Sequence, residues 1–158
     1  MTGDHDHDWE EDKKLVERFE NSLKSNLDLY FEEEELEDII RFYFDQQKFL
    51  KALRASEYAL GKFPFSVEIR LLQAQCLIFN DELDEGLSIL ENLNNLSPNN
   101  EEILLALANA YILAGNPQEG IDLLENFLPL AEDKAEVYYL LGNLYRAKGD
   151  NSKASGYF

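Results

Sequence analysis

Few residues in this chain have the types and spacing that chemistry requires. His5 and His7 alternate with aspartates in an acidic N-terminal stretch. They could chelate a metal loosely, but two imidazoles on a polar tail define no coordination geometry, and they read as solvated. Cys76, the single cysteine, sits in an apolar helical run with no histidine or cation nearby in sequence. That environment suits a buried small hydrophobe rather than a thiolate nucleophile. Residues 81–92 have the outline of a calcium loop around Gly86, but Leu83 occupies a ligand position and Asn92 replaces the closing glutamate. Asn95-Leu96-Ser97 is a glycosylation sequon, idle without secretion. Carboxylates are plentiful, yet no pair is set apart as acid and base, and no glycine-rich phosphate loop is present. The expectation is a protein without catalytic residues, cofactor or metal.

The chemistry therefore has to lie in surfaces, and the elements that build them follow a repeat. In Ala135–Asp150 the side chains of Tyr138, Leu141 and Tyr145 recur at helical spacing, and Gly142 thins the same face. Gly149-Asp150 then breaks the helix, and Ala154 and Phe158 lie on a second one. A stride of 34 residues carries Gly142 onto Ala108 and Ala74, and Tyr145 onto Tyr111, Leu77 and Tyr43. The same stride carries Ala154 onto Gly120, Gly86 and Ala52, and Pro98 onto Pro64. This pattern resembles the tetratricopeptide repeat. The resemblance implies an all-α fold, a right-handed superhelix of stacked antiparallel helix pairs.

The hairpins are expected at 33–66, 67–100, 101–134 and 135–158, the last incomplete. Residues 1–8 read as a disordered acidic tail, and 9–31 as an amphipathic capping helix with a link, its Leu15, Val16, Phe19 and Leu23 on one face. That helix holds the only tryptophan, Trp9, and is a cap on the first hairpin, or else a mobile lid or dimerisation arm. Asp8, Ser66, Asn80 or Asp81, Asn100 and Asp133 are the expected helix caps, and Asn116-Pro117 is a helix start. Ile40 departs from the small residue preferred at its position, which predicts a wider first hairpin or one leaning on the leading helix. A short final helix without a polar terminal cap suggests the front end of a longer repeat protein.

In arrays resembling this one, the first helices of successive hairpins line a concave groove. The corresponding positions are Glu34 and Arg41 in the first hairpin, and Glu68, Leu71, Leu72, Gln75, Ile78 and Phe79 in the second. The third supplies Glu102, Leu105, Asn109, Ile112 and Leu113, and the fourth Glu136, Tyr139, Leu140, Asn143 and Arg146. Some family members grip acidic C-terminal tails with Lys, Arg and Asn at these places. Here the sites are mostly Glu, Leu or Asp, so that clamp is absent, although Asn109 and Asn143 remain as main-chain binders. Glu34, Glu68, Glu102 and Glu136 recur at one register. They either attract a basic segment or simply offset the helix dipole in a first turn. The apolar middle is covered by the chain's own parts, by self-association or by an external partner.

Charge narrows the partner. Fourteen Lys and Arg against 32 Asp and Glu give a formal net charge of −18, and no Lys or Arg lies between Arg70 and Lys134. Phosphate backbones and anionic membranes are repelled by such a surface. A hydrophobic content of 45% is enough to build a core. The N-terminus has no signal-peptide pattern, and no apolar run is long enough for a membrane span, so the cytoplasm is the expected location. The expected function is a non-catalytic scaffold binding an apolar or amphipathic, basic protein segment. The alternatives are a small acidic chaperone, resembling the translocator chaperones of type III secretion, and the regulatory front of a larger protein.

Overall fold

The computed structural model describes residues 2–158, with side chains from residue 9 onward. Among the described residues the chain is all-α, with nine α-helices, one 3-10 turn and no strand. It forms two compact units, Met1–Cys76 and Leu77–Phe158.

In the first unit, α1 (Thr2–Lys24) packs on α2 (Glu33–Asp45), which forms a hairpin with α3 (Phe49–Lys62); most of α4 (Val67–Phe79) follows. The backbone of α1 begins at Thr2, so Asp8, expected as its cap, lies inside it. The expected disordered tail, with His5 and His7, falls outside the residues whose side chains are described. Val16 and Phe19 are buried as their spacing predicts, but Leu23 is 53% exposed. The Phe19 ring packs edge-on against Phe31 at 5.7 Å and Tyr58 at 5.3 Å, which docks α1 and the link onto the hairpin. Trp9 lies 6.3 Å from Phe42, ring to ring, and remains partly exposed. Glu32 and Glu35 close a capping box at the start of α2.

In the first hairpin the large Ile40 is met by small residues, and α2 also packs against the leading helix. Ile40 is fully buried, and α3 answers it with small buried residues, Ala52, Ala55, Ser56 and Ala59. The size pattern runs through the chain. Sixteen residues after each of Ile40, Ala74, Ala108 and Gly142 stand Ser56, Leu90, Leu124 and Phe158, so a large residue at one position goes with a small one at the other.

The second unit contains α5 (Leu83–Leu96), α6 (Glu101–Leu113), α7 (Pro117–Phe127), a 3-10 turn (Leu128–Leu130), α8 (Lys134–Lys148) and α9 (Asn151–Tyr157). Consecutive helices pack from α5 to α9, and α8 also lies against α6. The core joins Leu104, Ala108, Ile121, Leu124, Val137, Leu141, Leu144 and Ala154. Tyr157 stacks on Tyr145, 5.6 Å between centroids, and seats α9 on α8.

The caps follow the expected residues in part. Ser66 accepts from the Ile69 amide, Asn100 from Ile103 and Asp133 from Ala135. Asn80 and Asp81 do not cap α5: its cap residue is Glu82, without a side-chain bond, while Asn80 donates to the Glu82 carboxylate. Asp81 instead adopts a left-handed backbone, φ 63°. So do Gln47 (57°), Gly115 (75°) and Gly149 (91°), each one stride from the last. At all four turns the next amide donates to the carbonyl five residues back, from Lys48 to Tyr43, Glu82 to Leu77, Asn116 to Tyr111 and Asp150 to Tyr145. One closing turn is thus made four times, by a glutamine, an aspartate and two glycines.

Candidate interaction surface

The groove positions separate into core and surface once burial is known. In the first unit, Glu34 and Arg41 stand exposed on α2, where Arg41 pairs with Glu37 at 3.3 Å and Asp38 at 3.8 Å along its own helix. Partial burial raises the Glu37 carboxyl above its ordinary range, against the pull of Arg41. Glu68 and Gln75 are half-buried on α4. Leu71 and Leu72 are not groove wall: they are only 2% and 9% exposed. The physical reason is that α4 buries Ile69, Leu71, Leu72, Ala74, Cys76 and Leu77, residues that cover more than one face of a helix. Burial pushes the Cys76 thiol up to about 12, far from the range of a reactive thiolate.

In the second unit the expected positions on α6 and α8 lie on two helices that pack together. Glu102, Asn109 and Leu113 are exposed on α6, with Leu105 and Ile112 half-buried between them and seated on the core. Glu136 and Tyr139 are exposed on the neighbouring α8, Tyr139 at 59%. Ile78 is half-buried and Phe79 is 57% exposed near the end of α4. Leu140 belongs to the core instead.

The far end of this face is already engaged. Arg146 donates to the Asn143 side chain and stacks over the Phe158 ring, 5.2 Å from its centroid. The Tyr139 ring meets Phe158 edge-on at 6.1 Å. Phe158, 62% exposed at the end of α9, makes a contact with Tyr139 and Arg146 that has no signal in the sequence. Asn143, expected to bind a partner's main chain, accepts from Arg146 instead.

Tyrosine hydroxyls brace the helices that carry this face. Tyr111 on α6 donates to Glu91 on α5 at 3.0 Å, and Tyr145 on α8 donates to Glu125 on α7. In the first unit Tyr43 donates to Glu20 on α1 at 2.7 Å. The phenols are pushed up, Tyr111 to about 12, chiefly by burial and then by the carboxylate acceptor. For Tyr145 the hydrogen bond to Glu125 leads, and for Tyr43 burial leads. Among the described residues no cluster of His, Cys, Asp and Glu could hold a metal, and no helix is long and apolar enough to cross a membrane.

Comparison with known proteins agrees with the fold. Residues 81–144 match the tetratricopeptide repeat family. No curated relative matches the sequence. Among solved structures, a crystal structure of MamA is similar over 99% of this chain and 84% of its own, with a TM-score of 0.74 at 18% identity. A thermophilic tetratricopeptide-repeat protein of Thermus thermophilus is similar over 90% of this chain and 77% of its own, with a TM-score of 0.71 at 20% identity. A MamA fragment from Desulfovibrio magneticus is similar over 80% of this chain and 72% of its own, with a TM-score of 0.68 at 17% identity. Likeness at these identities speaks to the fold.

Proposed function

We propose that this chain, which matches the tetratricopeptide repeat family over residues 81–144, is a non-catalytic interaction scaffold whose α6–α8 face binds an apolar or amphipathic segment carrying positive charge. One observation carries the reading: Leu105, Ile112, Leu113 and Tyr139 form an apolar strip on two adjacent helices, with the carboxylates Glu102 and Glu136 in their first turns. Burying that strip under a partner helix supplies the affinity, and the carboxylates supply register and on-rate. The net charge of −18 disfavours nucleic acid and anionic membranes as partners.

The test uses a labelled helical peptide of leucine and lysine, lysines on one face. Tyr139→Glu with Leu113→Glu replaces two exposed side chains and should abolish binding while leaving helicity unchanged. Binding retained by that variant refutes the assignment. A peptide with glutamate in place of lysine should not bind the α6–α8 face.

A further inference from the structure

A second surface in the first unit has the opposite charge. We propose that the pocket between α1 and α3 receives an acidic peptide segment through an apolar anchor residue. The cavity measures about 470 Å³. Its floor is Phe19, Tyr43, Ala55 and Tyr58; Leu23, more than half exposed, forms one wall. Lys24, Lys51 and Arg54 stand at the rim with a single carboxylate, Glu20. In a chain of net charge −18, three cations around one apolar hollow form a local reversal of sign.

The carboxylate of Glu20 is already committed. It accepts from the Tyr43 hydroxyl at 2.7 Å and from Lys51 at 3.3 Å. Ion pairs elsewhere among the described residues of this unit join Arg18 with Glu35, Arg41 with Glu37 and Asp38, and Lys62 with Asp28. Among the described residues Lys24 and Arg54 enter no ion pair within 4 Å, although, after the Tyr43 hydrogen bond and Lys51, the Lys24 charge helps to lower the Glu20 carboxyl; Arg54 has no such carboxylate beside it. Lys24 lies in the last turn of α1 and complements its dipole there. Arg54 sits in the middle of α3, where no helix end accounts for it.

The geometry selects the occupant. Cations rise from two different helices on either side of an apolar floor. A ligand meeting both needs acidic groups flanking its apolar anchor, an arrangement a peptide provides and a small monocarboxylic acid does not. The apolar anchor would cover Leu23 and Tyr58, and charge-assisted hydrogen bonds to Arg54 and Lys24 would set its direction.

Fluorescence anisotropy with a labelled peptide, a Leu-Phe pair between glutamate pairs, tests this. Saturable binding that weakens with salt is expected. Arg54→Glu should weaken it about tenfold, the loss of one charge-assisted contact. Lys134→Glu, the same change of net charge in the other unit, should leave it unchanged. Replacing Leu-Phe by Ser-Gly in the peptide should also cost about tenfold, since the apolar anchor supplies burial. The proposal is overturned by absence of saturable binding, by equal responses to the two charge reversals, or by equal binding of the Ser-Gly peptide. Full displacement by phenylpropionate at the peptide's own concentration would overturn it too, assigning the pocket to small acids. Circular dichroism of Arg54→Glu, which alters an exposed side chain, confirms that the fold is kept.

Discussion

The Tyr111 hydroxyl donates a 3.0 Å hydrogen bond to the Glu91 carboxylate, and one stride later Tyr145 repeats it to Glu125. Each bond ties the first helix of a hairpin to the second helix of the hairpin before it. The phenol is mostly buried while Glu91 is exposed, so the carboxylate keeps its water and the tyrosine gains a partner. Stacking of hairpins therefore rests on a polar contact as well as on small side chains.

Tyr111→Phe should cost about 1 kcal/mol, the net value of such a bond when the acceptor can return to water. The cost should depend on pH. The Tyr111 pKa is pushed up to about 12 in the fold, against about 10 in the unfolded chain. A raised folded pKa contributes stability that is fully present below about 10 and is lost as pH rises through about 12. Urea midpoints of wild type and Tyr111→Phe, measured from neutral pH upward, should converge in that window. A gap that stays constant to the top of the range would rule the bond out as its source.

The four left-handed turn residues give a second prediction. A Cβ on Gly115 or Gly149 would meet nothing within 4 Å, so only backbone strain opposes a side chain there. Gly115→Ala and Gly149→Ala should each destabilise by about 1 kcal/mol. Gln47→Gly should do the reverse and gain about 0.5 kcal/mol, the relieved strain less the added freedom of the unfolded chain. Thermal melts of the three variants check the signs. A stabilising Gly149→Ala would contradict the turn geometry.

Two helical glycines separate close contact from mere spacing. A Cβ on Gly120 would lie 2.6 Å from Leu144, which is fully buried and has nowhere to move. A Cβ on Gly142 would lie 2.5 Å from the Phe158 ring, which is largely exposed and can swing out. Alanine gains about 1 kcal/mol of helix propensity over glycine at either site. Overpacking costs about 1–3 kcal/mol where the neighbour is fixed. Gly120→Ala should therefore lose stability, and Gly142→Ala should come out near neutral. Equal losses in chemical denaturation would remove this distinction.

What can be read from the sequence is what one residue type must do alone. Gly149 before Asp150 marks a turn because glycine takes positive φ without strain. The same turn at Gln47 is hidden, since glutamine gives no such sign and is held there by the closing hydrogen bond. The family resemblance puts Leu71 and Leu72 on the groove, because position within a repeat says which way a side chain points and not what stands opposite; both are buried. The α1–α3 pocket is invisible for another reason. Lys24 and Arg54 share no spacing, and only the docking of α1 by Phe19 brings them to one rim.

Ile40 and Ser56 offer the sharpest test of the size pattern. Both are fully buried, on the two helices of the first hairpin. The other three hairpins place the small residue first and the large one sixteen positions on. Ile40→Ala should open a cavity and cost about 2–5 kcal/mol. Ser56→Leu should overpack against Ile40 and cost about 1–3 kcal/mol. The Ser56 hydroxyl donates to the Leu53 carbonyl at 2.6 Å, a bond the helix can lose cheaply because that carbonyl is also a helical acceptor. Together the two substitutions restore the arrangement of the other hairpins, so the double variant should be more stable than either single one. The coupling measured by the double-mutant cycle should reach about 2 kcal/mol or more. Additive losses would mean that the two residues do not share one space, and that the reversal at the first hairpin is accommodated by its neighbours instead.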